Sequence, residues 1–157
     1  MLDLYEELRA ITRALETAQV PYALIGGIAV SIYASPRATE DVDLLILPAD
    51  VARCAAALAP LGYRELSVPM TLARGRLELH RLTKLAGDDF MVLDLLLASD
   101  SALADMLARR VPVGEGENHL WLVPLDGLKQ LKRLRGSPQD LADLAALGEV
   151  PGRDTQP

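Results

Sequence analysis

The stretch SPRATEDVDLLI, residues 35–46, passes from a charged loop into an apolar run and carries two aspartates, Asp41 and Asp43, at positions i and i+2. In a strand, successive side chains point to opposite faces, so both carboxylates would lie on one face about 6.6 Å apart. Val42 and Leu44 would face the other way. Two like charges held at that spacing repel each other unless a cation lies between them. The stretch therefore predicts a buried strand that presents two carboxylates to a cation.

A third carboxylate stands in a second apolar run. Asp94 is the one charge in MVLDLLLA, residues 91–98, and such a continuous apolar run is typical of a central strand. A buried carboxylate is costly unless its charge is balanced, so Asp94 needs a partner. We predict that it meets Asp41 and Asp43 in one sheet, where three carboxylates would bind Mg²⁺. The alternative is that Asp41 caps a turn and Asp94 pairs with a nearby arginine.

Hydrophobic periodicity and turn residues divide the rest of the chain. We predict helices over residues 2–18, 28–34, 49–61 and 100–110, and two more within 124–147 that are separated by Gly136 and Pro138. We predict strands over 22–27, 41–47, 63–66, 75–83 and 89–99, and a strand pair within 111–123. Gly62 is expected to cap a helix C-terminus and Ser137 a helix N-terminus. We assign Trp121 to the core. We expect His80 to have a structural role, and the alternative is that it faces a ligand.

The length and composition of the chain fit a single domain. The chain has 157 residues, half of them apolar, which suffices for a single core. We expect a domain over 1–147, with its core in 20–123 and C-terminal helices in 125–147, followed by a flexible tail over 148–157 that has little to bury. A net charge of −6 argues against a general basic surface for nucleic acid, although a local groove remains open.

Location is predicted from two features. The lone cysteine, Cys54, can form no disulfide within the chain and fits the core, which favours a reducing cytoplasm. No apolar stretch reaches 18 residues and the N-terminus has no signal-peptide pattern, so we expect neither membrane insertion nor export.

A glycine pair and a polar loop precede the aspartates. Gly26 and Gly27 fall between a predicted strand and a predicted helix, where they would let the backbone and the helix N-terminus approach an anion. Arg37 and Thr39 would offer a cation and a hydroxyl to a triphosphate. Each feature alone has a plainer interpretation, a tight turn for the glycines and an exposed surface position for Arg37.

Together these segments resemble a known superfamily. GGIAVSIYASPRATEDVDLLI (26–46), followed by VLDLLL (92–97), resembles the nucleotidyltransferase superfamily of the DNA polymerase beta type. Within it, the pattern GG-x-A and R-x-T-x-D-x-D is most similar to the bacterial AbiEii-type nucleotidyltransferases, which include type IV toxin components. The segment DGLKQLKRLRGSPQDLADLAAL (126–147) is similar to the helical ending of that group. The resemblance spans most of residues 20–147.

The resemblance implies an α+β fold, with a mixed central sheet flanked by helices and a short C-terminal helical pair. It also implies a nucleotidyltransferase that uses Mg²⁺ (or Mn²⁺) to move a nucleoside monophosphate from an NTP to a hydroxyl on a tRNA, a protein or a small molecule. By this likeness, the phosphates contact Gly26, Gly27 and a lysine, Lys129. The metal ions bind Asp41, Asp43 and Asp94, and Asp94 bridges to a second metal or activates the attacking hydroxyl.

The C-terminal segment also departs from the group. Asp140 and Asp143 match acids of the closing helix, but the basic residue expected before them is Gln139 here, and the C-terminal part is shorter than in the larger toxins. Spacing of three places both acids on one helical face, where they would orient Lys129, Arg133 or Arg135 or else face solvent.

Two rival functions remain. One is a non-catalytic protein of the same fold that acts as a binding partner in an operon-encoded pair, such as a toxin–antitoxin system. Three intact acids count against it, since mutually repelling charges have no structural purpose there. The other is a metal-dependent phosphohydrolase, which would need further ligands, and the chain has only two histidines.

Overall fold

The computed structural model describes residues 1–148, so all but the first residue of the predicted tail lies outside the described part. Within these residues there are six α-helices: α1 Leu4–Thr17, α2 Gly26–Tyr33, α3 Val51–Leu58, α4 Ser101–Ala108, α5 Leu125–Arg135 and α6 Pro138–Ala146. The same part of the chain contains eight strands: β1 Ala23–Ile25, β2 Asp41–Ile46, β3 Tyr63–Glu65, β4 Met70–Leu72, β5 Leu77–Ala86, β6 Asp89–Leu97, β7 Val111–Val113 and β8 Leu120–Leu122.

All eight strands form one mixed sheet. Its order is β3-β5-β6-β2-β1-β8-β7, and β4 pairs with the free part of β5. The pairs β2–β6 and β1–β8 are parallel, and the others are antiparallel. The predicted α+β fold with a mixed central sheet and a C-terminal helical pair is confirmed. Strand β4 was not predicted.

The two faces of the sheet have different roles. Successive side chains along a strand point to opposite faces, so β2 directs Val42 and Leu44 to one face and Asp41 and Asp43 to the other. Residues opposite each other on neighbouring strands share a face. Val42 and Leu44 are fully buried. Helix α1 is fixed to the sheet by Glu7, which accepts hydrogen bonds from the Tyr63 hydroxyl (2.8 Å) and the Lys84 ammonium (2.9 Å).

Local signals set several boundaries. The Ser137 hydroxyl accepts the Asp140 N–H while the Asp140 carboxylate accepts the Ser137 N–H, a capping box that begins α6. Gly62, at φ +99°, ends the turn that follows α3, since few other residues adopt that backbone conformation without strain. Both caps were predicted.

Two single-residue assignments have different outcomes. Cys54 is fully buried in the core, as predicted. Trp121 is only partly buried: it packs against the core, and the Arg110 guanidinium lies 4.6 Å from its ring centroid. The core assignment of Trp121 is therefore confirmed only in part. No helix in the described part of the chain has the length and apolar character to cross a membrane.

Candidate active site

The three predicted carboxylates lie on one face of adjacent strands. In the parallel pairing of β2 with β6, Asp43 is opposite Asp94 and Asp41 is opposite Val92, so all three acids face the same side. Asp94 is buried, whereas Asp41 and Asp43 are partly exposed. Carboxylates from segments about fifty residues apart thus meet as the sequence predicted.

Asp94 also has the arginine partner that was the alternative prediction. Arg81, opposite it on β5, donates from Nε to Oδ1 at 2.8 Å and from its terminal nitrogen to Oδ2 at 3.0 Å. Such a two-point pair gives one guanidinium to the most buried of the three acids. Asp94 therefore lies beside Asp43 and also carries an arginine counter-ion, while metal binding by the three acids stays a prediction.

The remaining negative charge is poorly compensated. Burial, and next the neighbouring charge of Asp94, raises the pKa of Asp43 from 3.8 to about 7. The same two causes raise the pKa of Asp41. Near neutral pH a proton and a cation therefore compete for these carboxylates. A site with this much uncompensated negative charge favours cation binding.

The glycine pair brings the start of α2 against this face. Gly26 has φ +69°, and a Cβ there would overlap the Asp43 carboxylate. A Cβ on Gly27 would lie 2.7 Å from Thr39 Oγ1 and 2.9 Å from the Arg37 guanidinium. Among residues 1–148, no side chain caps α2. Both glycines are therefore needed for close packing, and the uncapped helix start faces the predicted phosphate position.

A buried ionic cluster ties the loop of residues 34–40 to the C-terminal helices. Lys132 Nζ lies 3.2 Å from Asp140 Oδ1 and 2.9 Å from Asp143 Oδ2, and all three residues are buried. Arg37 Nε lies 2.9 Å from the other Asp143 oxygen, Oδ1. Gln139 donates to that same oxygen at 3.0 Å. We call these five residues the ionic clamp.

The clamp settles the open question about the two acids of α6. They do not face solvent, because they hold Lys132 and Arg37, and Asp140 is also 3.9 Å from Arg135 Nε. Lys132 was not predicted. The sequence does contain a signal for it. Lys132 follows Leu128 by four residues and so lies on the buried face of the helix, where a lysine without a partner would be costly.

These parts enclose an open pocket of about 390 Å³. Seven predicted site residues line it: Gly26, Gly27, Arg37, Thr39, Asp41, Asp43 and Asp94. Lys129 does not line it, whereas Lys132 and Arg135 from the same helix do. His80 lies on the opposite face of β5 from Arg81, and its Nδ1 is 2.8 Å from Glu65, which agrees with a structural role.

The residues suit a divalent cation in chemistry, though not in their present positions. Three carboxylates are hard oxygen donors of the kind that Mg²⁺ binds. Within residues 1–148, no group of three His, Cys, Asp or Glu side chains has the arrangement of a metal site. At Asp94, Arg81 donates one hydrogen bond to each carboxylate oxygen, so the guanidinium and a metal ion would compete for this carboxylate.

Comparisons with solved structures give a consistent result. A lincosamide antibiotic adenylyltransferase, LnuA, solved with lincomycin bound, superposes with a TM-score of 0.60 at 14% identity, over 92% of this chain and 96% of that one. A Thermotoga maritima protein, named provisionally as a nucleotidyltransferase, gives 0.66 at 11% identity over 90% and 89%. ANT(2")-Ia in complex with adenylyl-2"-tobramycin gives 0.57 at 14% identity over 91% and 84%.

At the level of sequence, no family model matches the chain and no curated protein matches it. The AbiEii-type branch stays a prediction. The strand order, the acids of β2 and β6 and the structural neighbours agree on the coarser statement: this chain has the nucleotidyltransferase fold.

Proposed function

We propose that the protein is a metal-dependent nucleotidyltransferase that moves a nucleoside monophosphate from an NTP to a hydroxyl on a small molecule. The observation that carries the proposal is the shared pocket, in which Asp41, Asp43 and Asp94 stand beside the cationic side chains of Lys132 and Arg135. Enzymes that transfer phosphate-containing groups use carboxylates to hold metal cations and cationic side chains to bind the phosphates.

Each side chain has a task that follows from its position. Lys132 and Arg135 place positive charge where the β- and γ-phosphates would lie, and the uncapped start of α2 adds backbone N–H groups. Divalent cations held by Asp41, Asp43 and Asp94 would neutralise the charge that develops during transfer. Once freed from Arg81, a carboxylate oxygen of Asp94 can accept the proton of the attacking hydroxyl.

Two observations support a small-molecule acceptor over a tRNA. The net charge of −6 opposes a long polyanion. In two of the neighbours, the bound molecules named are lincomycin and adenylyl-2"-tobramycin, which are antibiotics or their adducts. A cytoplasmic location, an AbiEii-like toxin role and an operon-encoded partner remain predictions from the sequence.

The test replaces Asp43 with Asn. Incubation with labelled NTPs, Mg²⁺ and a panel of hydroxyl-bearing acceptors should give pyrophosphate and an acceptor heavier by one nucleotide, detected by mass spectrometry. We expect Asp43→Asn to lower turnover at least a hundredfold while the fold is retained. Asp88→Asn, an exposed acid outside the pocket, is the matched control. Full transfer by a folded Asp43→Asn variant would contradict the assignment.

The non-catalytic alternative has one observation in its favour. Arg81 already balances Asp94, so the acids of this pocket are partly satisfied without a metal. A thermal melt separates the two functions: an enzyme should be stabilised by Mg²⁺ and NTP together but not by NTP with a chelator. Equal melting temperatures in both conditions would favour the binding-partner function.

A further inference from the structure

A second cavity lies at the end of β1 that is farther from the acids. Ile25, the last residue of β1, is opposite Asp43, whereas Tyr22 immediately precedes the strand. The cavity has a volume of about 360 Å³ and lies between the end of α1, Tyr22, Arg110 and Trp121. We call it the distal cavity. None of the residues that line it also lines the candidate active-site pocket.

The guanidinium of Arg110 has no carboxylate partner in this cavity. It lies over the indole ring of Trp121, 4.6 Å from the ring centroid, and donates a hydrogen bond from Nη1 to the Leu107 carbonyl at 3.1 Å. These two contacts hold the guanidinium in place. Within residues 1–148 Arg110 forms no ion pair, and its Nε is buried without a hydrogen-bond partner. The charge of Arg110 is therefore left for a group that the protein does not supply.

Tyr22 brings a second buried donor to the same cavity. It is 1% exposed, and its hydroxyl makes no hydrogen bond of normal geometry to a described residue, although the Trp121 backbone and the Thr12 side chain lie near it. Burial raises the pKa of Tyr22 to about 12, so the hydroxyl keeps its proton at neutral pH. The charge of Glu16 also raises this pKa and that of Arg110 lowers it, so both side chains are close to the hydroxyl. Because buried polar groups are nearly always paired, two donors without an acceptor indicate a ligand oxygen between them.

Glu16 adds one negative charge to the distal cavity. Its Oε1 accepts a hydrogen bond from the Trp121 indole N–H at 3.1 Å and lies 3.3 Å from His119 Nε2. Its other oxygen, Oε2, has no partner in the described part of the chain. A phosphate dianion would meet one arginine and would be repelled by Glu16. A carboxylate would balance Arg110 alone, and an ammonium on the same molecule would balance Glu16.

We propose that the distal cavity binds a small zwitterionic carboxylate of the free amino acid class. The carboxylate accepts hydrogen bonds from the Arg110 guanidinium and the Tyr22 hydroxyl, and the ammonium lies against Glu16. A ligand bound in this way joins the end of α1, the start of β1, the segment after α4 and strand β8. The site stands apart from the proposed function, because it shares no lining residue with the candidate active-site pocket.

Trp121 provides a direct measurement of binding, because it is the only tryptophan of the chain and Arg110 lies over its ring. Titration of the full chain with L-alanine, without nucleotide or metal, should change the tryptophan fluorescence along a saturating curve and raise the melting temperature. Propionate, which lacks the ammonium, should bind about threefold more weakly. L-alaninamide, which lacks the carboxylate, and inorganic phosphate should give neither effect at the concentrations that saturate with L-alanine.

Replacement of the arginine tests the carboxylate contact. Arg110→Gln should weaken L-alanine binding at least tenfold, because it removes the cation. Arg109→Gln is the matched control, since this neighbouring arginine pairs with Asp105 and Asp126 and does not line the distal cavity. It should bind L-alanine as the wild type does.

Two gentler variants separate the remaining contacts. Tyr22→Phe removes only a hydroxyl that has no hydrogen bond in the described structure, so without ligand it should be at least as stable as wild type in urea. It should nevertheless bind L-alanine about fivefold more weakly. Glu16→Gln should lower the affinity for L-alanine to that for propionate and should not weaken propionate binding, because only the ammonium contacts this residue.

The outcomes decide between a ligand and water as the partner of the two donors. Saturable binding of L-alanine that Tyr22→Phe weakens and Arg109→Gln does not would support the amino acid site. No change in fluorescence or melting temperature with L-alanine would overturn it and would leave water as the partner. Equal binding of L-alaninamide or phosphate, or an L-alanine affinity that Tyr22→Phe leaves unchanged, would overturn it as well. Nucleotide transfer that depends on Asp43 is measured separately, so either result leaves the proposed function to its own test.

Discussion

The ion pair of Arg81 with Asp94 makes a prediction that links stability to metal binding. Replacing Arg81 with Gln removes both hydrogen bonds to a carboxylate that is 6% exposed and next to Asp43. Breaking a fully buried pair costs about 3–5 kcal/mol. The Arg81 side chain is 41% exposed, so solvent screens the pair and we expect a loss of about 1–2 kcal/mol without metal.

Mg²⁺ should act in the opposite direction. In the wild-type chain a cation competes with the Arg81 guanidinium for Asp94, whereas in Arg81→Gln it meets a carboxylate that lacks this partner. We therefore expect the variant to bind Mg²⁺ several-fold more tightly and to recover most of its lost stability when the metal is added. Bound Mg²⁺ does not replace any contribution that the Arg81 side chain makes to turnover. Tighter metal binding by the variant therefore does not imply faster transfer.

The assay is urea unfolding of both chains with a chelator and with saturating Mg²⁺, together with calorimetric titration of the metal. Arg76→Gln serves as control, because Arg76 also lies outside the core and pairs with an exposed acid, Asp100, at 3.8 Å. An Arg81→Gln chain that is as stable as wild type without metal, or that binds Mg²⁺ no more tightly, would refute the competition between Arg81 and the cation.

Three further predictions concern the surrounding residues. Because the folded pKa of Asp43 is about 7 against an ordinary 3.8, the folded chain holds the extra proton between these values, and without metal its free energy of unfolding falls as pH rises from about 4 to 7. Asp43→Asn should then be more stable than wild type at pH 8, by up to about 4 kcal/mol in urea unfolding, with little difference at pH 4; equal pH profiles would contradict this. Gly27→Ala should weaken Mg–NTP binding about tenfold by pushing away Thr39 and the Arg37 guanidinium, as measured by thermal shift at varied nucleotide concentration; unchanged affinity would show that the loop adjusts freely. Lys132→Met should cost about 3–5 kcal/mol in denaturant unfolding because it removes the buried cation shared by Asp140 and Asp143, and a loss below 1 kcal/mol would show that Arg37 and Arg135 compensate these acids without it.

Much of the sheet could be predicted because its strands carry their own signals. The alternation around Asp41 and Asp43 identifies β2, and the apolar run around Asp94 identifies a central strand, so the meeting of the acids follows from sheet formation. Strand β4, Met70–Leu72, gives no such signal, since three residues are too few to show a period and the strand exists only because β5 extends beyond β3.

The side-chain partners were harder to predict, for a physical reason. Arg81 faces Asp94 because the β5–β6 hairpin places them in register, and a register is a property of the pair of strands rather than of either segment. Lys132 differs from Lys129 by less than one helical turn, and only the packing of α5 decides which of the two reaches the pocket. Positions on an element were thus predictable, whereas contacts between elements needed the assembled fold.

The ionic clamp has a consequence for the order in which the protein becomes competent during synthesis. Arg37 leaves the ribosome about a hundred residues before Asp143, the carboxylate that holds it and Lys132 in place. Until α6 has emerged and docked, the loop beside the glycines lacks its anchor, so a nascent chain can assemble the sheet but not a finished nucleotide pocket. A premature stop within the last helix would then yield a folded core that is unable to engage its substrate.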